Sequence, residues 1–425
     1  MQTRKSGWWW IPTLYFAEGL PYFAVTAISV ILYKRLGVSN TDIALYTSWL
    51  YLPWVIKPFW SPIVEIFSTR RRWIYATQFF IGALLAAVAF TIPVNAFFQW
   101  TLAFFWLMAF GSATHDIAAD GFYMLGLDGE QQSFFSGIRS IFYRLATIFG
   151  QGGLIIIAGK LEESTGSITT AWSITFAITA TIMLLLSLFH KIVLPTPAND
   201  FSRSATSIGE AIKSFGEILA AYFKKPGIVQ AIMFMLLFRL PEAQLVKLLN
   251  PFLLDSHEAG GLALSTEQIG VTYGTIGVIG LIIGGIAGGI AISRKGLKYW
   301  LWPMVMAISL PDLVYVYLSY AQPTAQATID TCIFIEQMGY GFGFTAYMMY
   351  LIYFSRGQYP TAHYAISTAF MALGMMLPGM LSGYIQEFLG YTNFFIWVMI
   401  CCLATFAVSA TLKIDPNFGK KQETA

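Results

Sequence analysis

Asp116 and Asp120 stand four residues apart in the string Gly111-Ser-Ala-Thr-His-Asp-Ile-Ala-Ala-Asp-Gly121, inside an otherwise apolar run. On a helix that spacing puts both carboxylates on one face, one turn apart. Two carboxylates so close in a medium of low polarity do not both stay charged without a partner. The chemistry open to them is to take up and release a proton, or to be locked to basic groups. His115, beside the first aspartate, and Lys57 and Arg144, from other apolar stretches, are the candidate charge partners.

The elements that must position this pair follow from composition. The chain has 425 residues, of which 56% are hydrophobic and only 11% charged. That is far more apolar surface than a soluble domain needs, and it indicates an all-α membrane protein. A net charge of +3 is too small for nucleic-acid binding. Cys332, Cys401 and Cys402 have neither the spacing of a metal site nor that of a disulfide framework, and no cofactor is expected. The first apolar run lacks a small-residue cleavage pattern and reads as a retained span.

Twelve apolar runs are long enough to cross a bilayer: 8–33, 41–66, 73–95, 97–125, 132–160, 169–192, 227–253, 267–292, 299–320, 325–354, 361–387 and 391–412. Pro21, Pro53, Pro58, Pro241, Pro311 and Pro378 fall inside them and predict kinks. Lys and Arg concentrate in alternate connections, with only Lys34, Arg35 and Lys160 on the other side. The bias predicts both termini in the cytoplasm and a multi-pass inner membrane protein of a bacterium. The longest connection separates two six-helix bundles, residues 1–194 and 227–425. Within it, 195–226, Ser207 to Glu210 has capping-box spacing, and Ile208, Ile212, Phe215, Leu219 and Tyr222 follow at helical spacing. Thr41-Asp-Ile43 and Ser265-Thr-Glu-Gln-Ile269 open corresponding helices of the two halves, a weak internal repeat.

The chain resembles the AmpG-type muropeptide permeases of the major facilitator superfamily. The likeness is carried by Phe16-Ala-Glu-Gly-Leu-Pro21, Ile56-Lys-Pro-Phe-Trp-Ser-Pro62, Ser112-Ala-Thr-His-Asp-Ile-Ala-Ala-Asp120, Tyr143-Arg-Leu145 and the glycine-rich stretch Glu336 to Phe344. The superfamily's loop motif is matched by Ser61 to Glu65 followed by Arg70, Arg71 and Arg72, a candidate gating loop. The resemblance implies the major facilitator fold of twelve transmembrane helices. It also implies proton-driven import of anhydromuropeptides, with Lys57, Asp116, Asp120, Arg144 and Glu336 at motif positions. The chain departs from the family at His115, where glutamine is expected, at Gly121-Phe-Tyr-Met-Leu125, and in the extra charges Glu18, Glu242 and Lys247.

In such a carrier the first, fourth, seventh and tenth spans line the cavity. Glu18, Asp116, Asp120, Arg239, Glu242, Lys247 and Glu336 fall on those four. Tyr15 and Tyr22 flank Glu18 at helical spacing, and Tyr340 follows Glu336 by one turn, a setting suited to a ligand rich in hydroxyls. The expected function is therefore a symporter. Asp116 and Asp120 carry the proton, and Glu18, Tyr15, Tyr22, Arg239, Glu242, Lys247, Glu336 and Tyr340 bind a sugar-containing anionic solute. Its partners are a small-molecule solute, protons and the lipid bilayer, and it acts as a monomer. A carrier for another sugar or organic anion keeps the same fold. A membrane-embedded transferase would need His115-Asp116 as its only catalytic candidate.

Overall fold

The computed structural model describes residues 6–127, 129–197, 200 and 208–420. The Glu65 side chain and the Ser207–Glu210 capping box lie outside what is described. Every regular element among the described residues is a helix. Eight helices are long and apolar enough to cross a membrane: Gly7–Arg35, Arg70–Thr91, Phe97–Gly126, Gly137–Thr165, Ile168–Val193, Thr266–Lys295, Leu297–Ala321 and Pro360–Ala410. The last holds two spans, because Gly390 (φ 72°, ψ 166°) turns the backbone through a conformation closed to most L-residues.

The three remaining expected spans are helical but depart from a simple apolar rod. The second breaks at Leu50–Tyr51, between Asn40–Trp49 and Leu52–Phe67. The seventh breaks at Phe238–Arg239, between Ile228–Leu237 and Leu240–Leu254, so Arg239 stands at the break and Glu242 in the first turn beyond it. The tenth, Gln326–Ser355, is continuous but rich in glycine and polar residues. In the ninth span, Pro311 lacks the N–H that would close the helical ladder. The chain there tightens to a 3₁₀ turn at Leu310–Asp312, which brings Asp312 inside.

Two compact units result, Met1–Leu36 with Ile56–Phe215, and Gly37–Val55 with Gly216–Ala425. The expected divide at 195–226 falls within the linker helix Ile208–Phe223, but Gly37–Val55 groups with the second unit instead of the 1–194 bundle. Local contacts explain this. Asn40 Nδ2 donates to Gln386 Oε1 at 2.7 Å and to Tyr391 at 2.9 Å, and Gly383 lets the eleventh span approach the Asn40 carbonyl so closely that a Cβ would sit 2.5 Å from it.

The repeat seen in the sequence has a structural counterpart. Ser39 Oγ accepts from Asp42 N at 3.0 Å where the second span begins, and Ser265 Oγ accepts from Gln268 N at 3.2 Å where the eighth begins. Only the second of these is a complete capping box, with Gln268 Oε1 accepting from Ser265 N.

The tenth span is fixed by close backbone approach. A Cβ on Gly339 would stand 2.3 Å from Ala307 O and 2.7 Å from Pro311 Cγ, and one on Gly284 would stand 1.9 Å from Met338 O. The glycines of this span therefore serve contact with the eighth and ninth spans.

Candidate functional site

In the first unit, the one-turn spacing of Asp116 and Asp120 aims both carboxylates toward neighbouring spans. Lys57 Nζ pairs with Asp116 Oδ2, their side chains 24% and 23% exposed. Arg139 pairs with Asp120 Oδ1 at 3.3 Å, with 35% and 40% exposure. Tyr15 donates to the same Asp120 oxygen at 3.3 Å and accepts from Arg139 at 3.2 Å. The guanidinium lies 4.8 Å from the Tyr15 ring centroid and 5.1 Å from that of Tyr123, so two aromatic rings set at 82° to each other both meet its charge. Glu18 lies near enough to Asp116 and Asp120 for the three charges to act on one another, and its Oε2 is buried with no partner. The cluster thus contains Glu18, Asp116 and Asp120 against Lys57 and Arg139.

Arg144, expected to neutralise a carboxylate, forms no ion pair among the described residues; Arg139, five residues earlier, takes that role. Five residues on a helix amount to 500° of rotation, so the two arginines project from different faces. Tyr22 packs edge-to-face on Phe23, with ring centroids 5.3 Å apart. Tyr123 was not singled out from the sequence, although its position three residues after Asp120 is a usable signal.

His115 is fully buried and faces away from the aspartates. Its Nε2 meets the Gln78 side-chain amide at 2.9 Å, and Gln78 meets His190 Nδ1 at 2.8 Å. Thr13 completes the line, 3.0 Å from His190 Nε2 while donating to Trp10 O. The Gln78 amide oxygen accepts from His190 Nδ1, and its nitrogen donates to His115 Nε2. The line ties the first, third, fourth and sixth spans together. Adjacent helical residues are 100° apart, which is why His115 does not share the face of Asp116.

The second unit separates its charges. Arg239 donates to Tyr340 at 2.5 Å and lies 4.8 Å from the Phe344 centroid. Lys247, 1% exposed, donates to Thr47 at 3.0 Å and stands 4.9 Å from the Tyr51 centroid. Glu336 Oε2 accepts from Tyr315 at 2.6 Å and from Gln337 at 2.9 Å. Tyr347, on the same helix, donates to Met235 O at 2.7 Å as a packing residue.

The basic run after the second span is held by an acid that the sequence reading passed over. Asp200 accepts from the backbone N–H groups of Arg70 and Arg71 at 2.8 and 3.0 Å, completing the N-terminus of Arg70–Thr91. Arg71 Nε donates to Leu194 O at 3.1 Å. Arg72 is exposed, and its backbone N–H donates to Thr69 Oγ1 at 3.2 Å. At the end of the linker helix, Lys225 donates to Phe354 O at 2.6 Å and Arg356 O at 2.8 Å, and burial lowers its proton affinity.

The family model of the Major Facilitator Superfamily matches residues 13–360, and the chain belongs to that superfamily. Its relatives include a putative transporter AmpG 4 of Rickettsia conorii, 24% identical over 413 residues, covering 94% of this chain and 95% of the relative. The anhydromuropeptide permease of Escherichia coli K12 is 24% identical over 389 residues, covering 90% and 74%. The AmpG-type likeness read from the motifs agrees with both. Among solved structures, a D-xylose–proton symporter superposes with a TM-score of 0.71 at 12% identity, covering 97% and 98%. The nucleoside transporter NupG gives 0.62 at 15%, covering 95% and 98%. At such identities these share the fold. The protein is thus a multi-pass membrane transporter for a small-molecule solute and not an enzyme.

Proposed function

We propose that the protein is a symporter that imports a sugar-containing anionic solute, such as an anhydromuropeptide, with protons, by alternating exposure across a bacterial inner membrane. The charge balance of the first unit supports this reading most directly: three carboxylates face two cations. One bound proton neutralises the cluster. Its natural place is on Glu18 or Asp116, where two ionised carboxylates would otherwise repel. The ion pairs keep enough exposure to exchange that proton. Arg239, set on Tyr340 and Phe344, and Lys247, set on Thr47 and Tyr51, bring positive charge that suits an anionic solute, and Tyr15 and Tyr340 offer hydroxyls and ring faces to a sugar. The positive-inside bias supports cytoplasmic termini. The proton gradient is the energy source, with no cofactor, and the carrier works as a monomer.

Proteoliposomes containing the purified protein should accumulate radiolabelled anhydromuropeptide when the outer medium is acidified. Asp116→Asn and Asp120→Asn should each lose that accumulation while retaining solute exchange. If both variants still concentrate solute, the coupling assignment is wrong. If another sugar or organic anion is taken up and the muropeptide is not, the solute assignment is wrong.

A further inference from the structure

Glu242 on the seventh span, Asp312 on the ninth and Glu336 on the tenth are 5%, 3% and 1% exposed. They are near enough to act on one another electrostatically, Asp312 on both glutamates and Glu242 on Glu336. Among the described residues none of the three is in an ion pair. Glu336 Oε2 has two donors, but its Oε1 is buried with no partner, and so is Oδ1 of Asp312. The cation acting on the group is Arg239, which faces Glu242 and is itself engaged with Tyr340 and Phe344.

Three ionised carboxylates against one guanidinium would leave two uncompensated charges in a hydrocarbon-embedded interior, a far costlier state than a neutral acid. Each protonated carboxyl removes one of those two charges and gives an orphaned oxygen a neighbouring donor. Among the described residues no cluster of metal-ligating side chains could hold an ion in its place. We propose that Glu242, Asp312 and Glu336 form a second proton-holding site, contained within the second unit and independent of the Asp116/Asp120 cluster. The other titratable groups facing it are Tyr273 from the eighth span, Tyr315 from the ninth, Tyr340 from the tenth and Cys402 from the twelfth. Tyr315 fixes one face of Glu336, leaving the opposite oxygen to carry or meet the proton.

The test needs no solute, so it stands whether or not the first unit couples transport. Infrared spectra of the full-length protein in lipid nanodiscs, titrated between about pH 5 and about pH 9, report protonated carboxyl groups through a C=O band that shifts in D2O. Glu336→Gln and Asp312→Asn should each remove a part of that band, and Asp116→Asn should leave that part in place. Glu242→Gln is a third, separate arm, and only variants that elute as monodisperse protein are compared. The proposal is overturned if the band is the same in the wild type and in every folded variant of the three. It is equally overturned if sodium abolishes the wild-type band, since a metal cation would then be the natural occupant.

Discussion

In the first unit each aspartate faces a cation, Lys57 on Asp116 and Arg139 on Asp120, and all four side chains stay partly exposed. In the second unit Glu242, Asp312 and Glu336 are buried away from any ion-pair partner among the described residues, while Lys247 and Arg239 rest on aromatic rings. Two halves of one fold thus manage intramembrane charge by different physics. Paired and partly wetted ions can exchange partners, which suits a site that binds and releases. Buried, separated groups are held by desolvation, and they change state only when a proton or a new charge arrives.

The sharpest way to break this contrast is to unpair the first unit. Lys57→Met should lower stability by about 3 kcal/mol, within the range for breaking a buried pair and moderated by partial exposure. Adding Asp116→Asn to it should recover more than half, as read by thermal unfolding in a double-mutant cycle. If the double variant is no better than the single, Lys57 and Asp116 are not an energetic pair. In the second unit, Tyr315→Phe removes the 2.6 Å bond to Glu336 and should cost roughly 1–2 kcal/mol in the same assay.

A finer comparison lies within the fifth span. Arg139→Lys keeps the charge but loses the guanidinium contacts with the Tyr15 and Tyr123 rings, and should cost about 0.5–1 kcal/mol. Arg144→Lys should be silent, and equal losses from the two would contradict the assignment of Arg139. The smallest difference is expected between the repeated helix starts. Ser39→Ala and Ser265→Ala should each cost about 1 kcal/mol, with the capping box making the second slightly more sensitive.

The twelve spans were legible because apolar length is a strong signal, and the tightened turn at Pro311 followed from chemistry that any proline carries. The breaks at Leu50–Tyr51 and Phe238–Arg239 fall in the turns just before Pro53 and Pro241, where a proline ring crowds the preceding backbone, so they too followed from the sequence. The acidic face of Asp116 and Asp120 and its link to Lys57 were readable from spacing and composition. Which arginine answers Asp120 depends on the rotation of the fifth span about its own axis, and sequence leaves that open. The nearness of Asp312 to Glu336 and Glu242 needed the 3₁₀ turn at Leu310–Asp312 to be seen. The same limit applies to His115, whose partners Gln78 and His190 come from the third and sixth spans.

The glycine contacts of the tenth span bear on how mutational data for this protein should be read. Saturation mutagenesis would score Gly284 and Gly339 as intolerant, because nearly every side chain there collides with backbone. Those positions flank Glu336 and Tyr340 in space or in sequence, so a map of intolerance would paint a false binding surface around the true polar groups. Variants at Gly339 should be lost at the level of folded protein in the membrane. Variants at Tyr340 should reach the membrane and fail only in uptake. Scoring abundance and transport as separate axes turns the packing seam into an internal control.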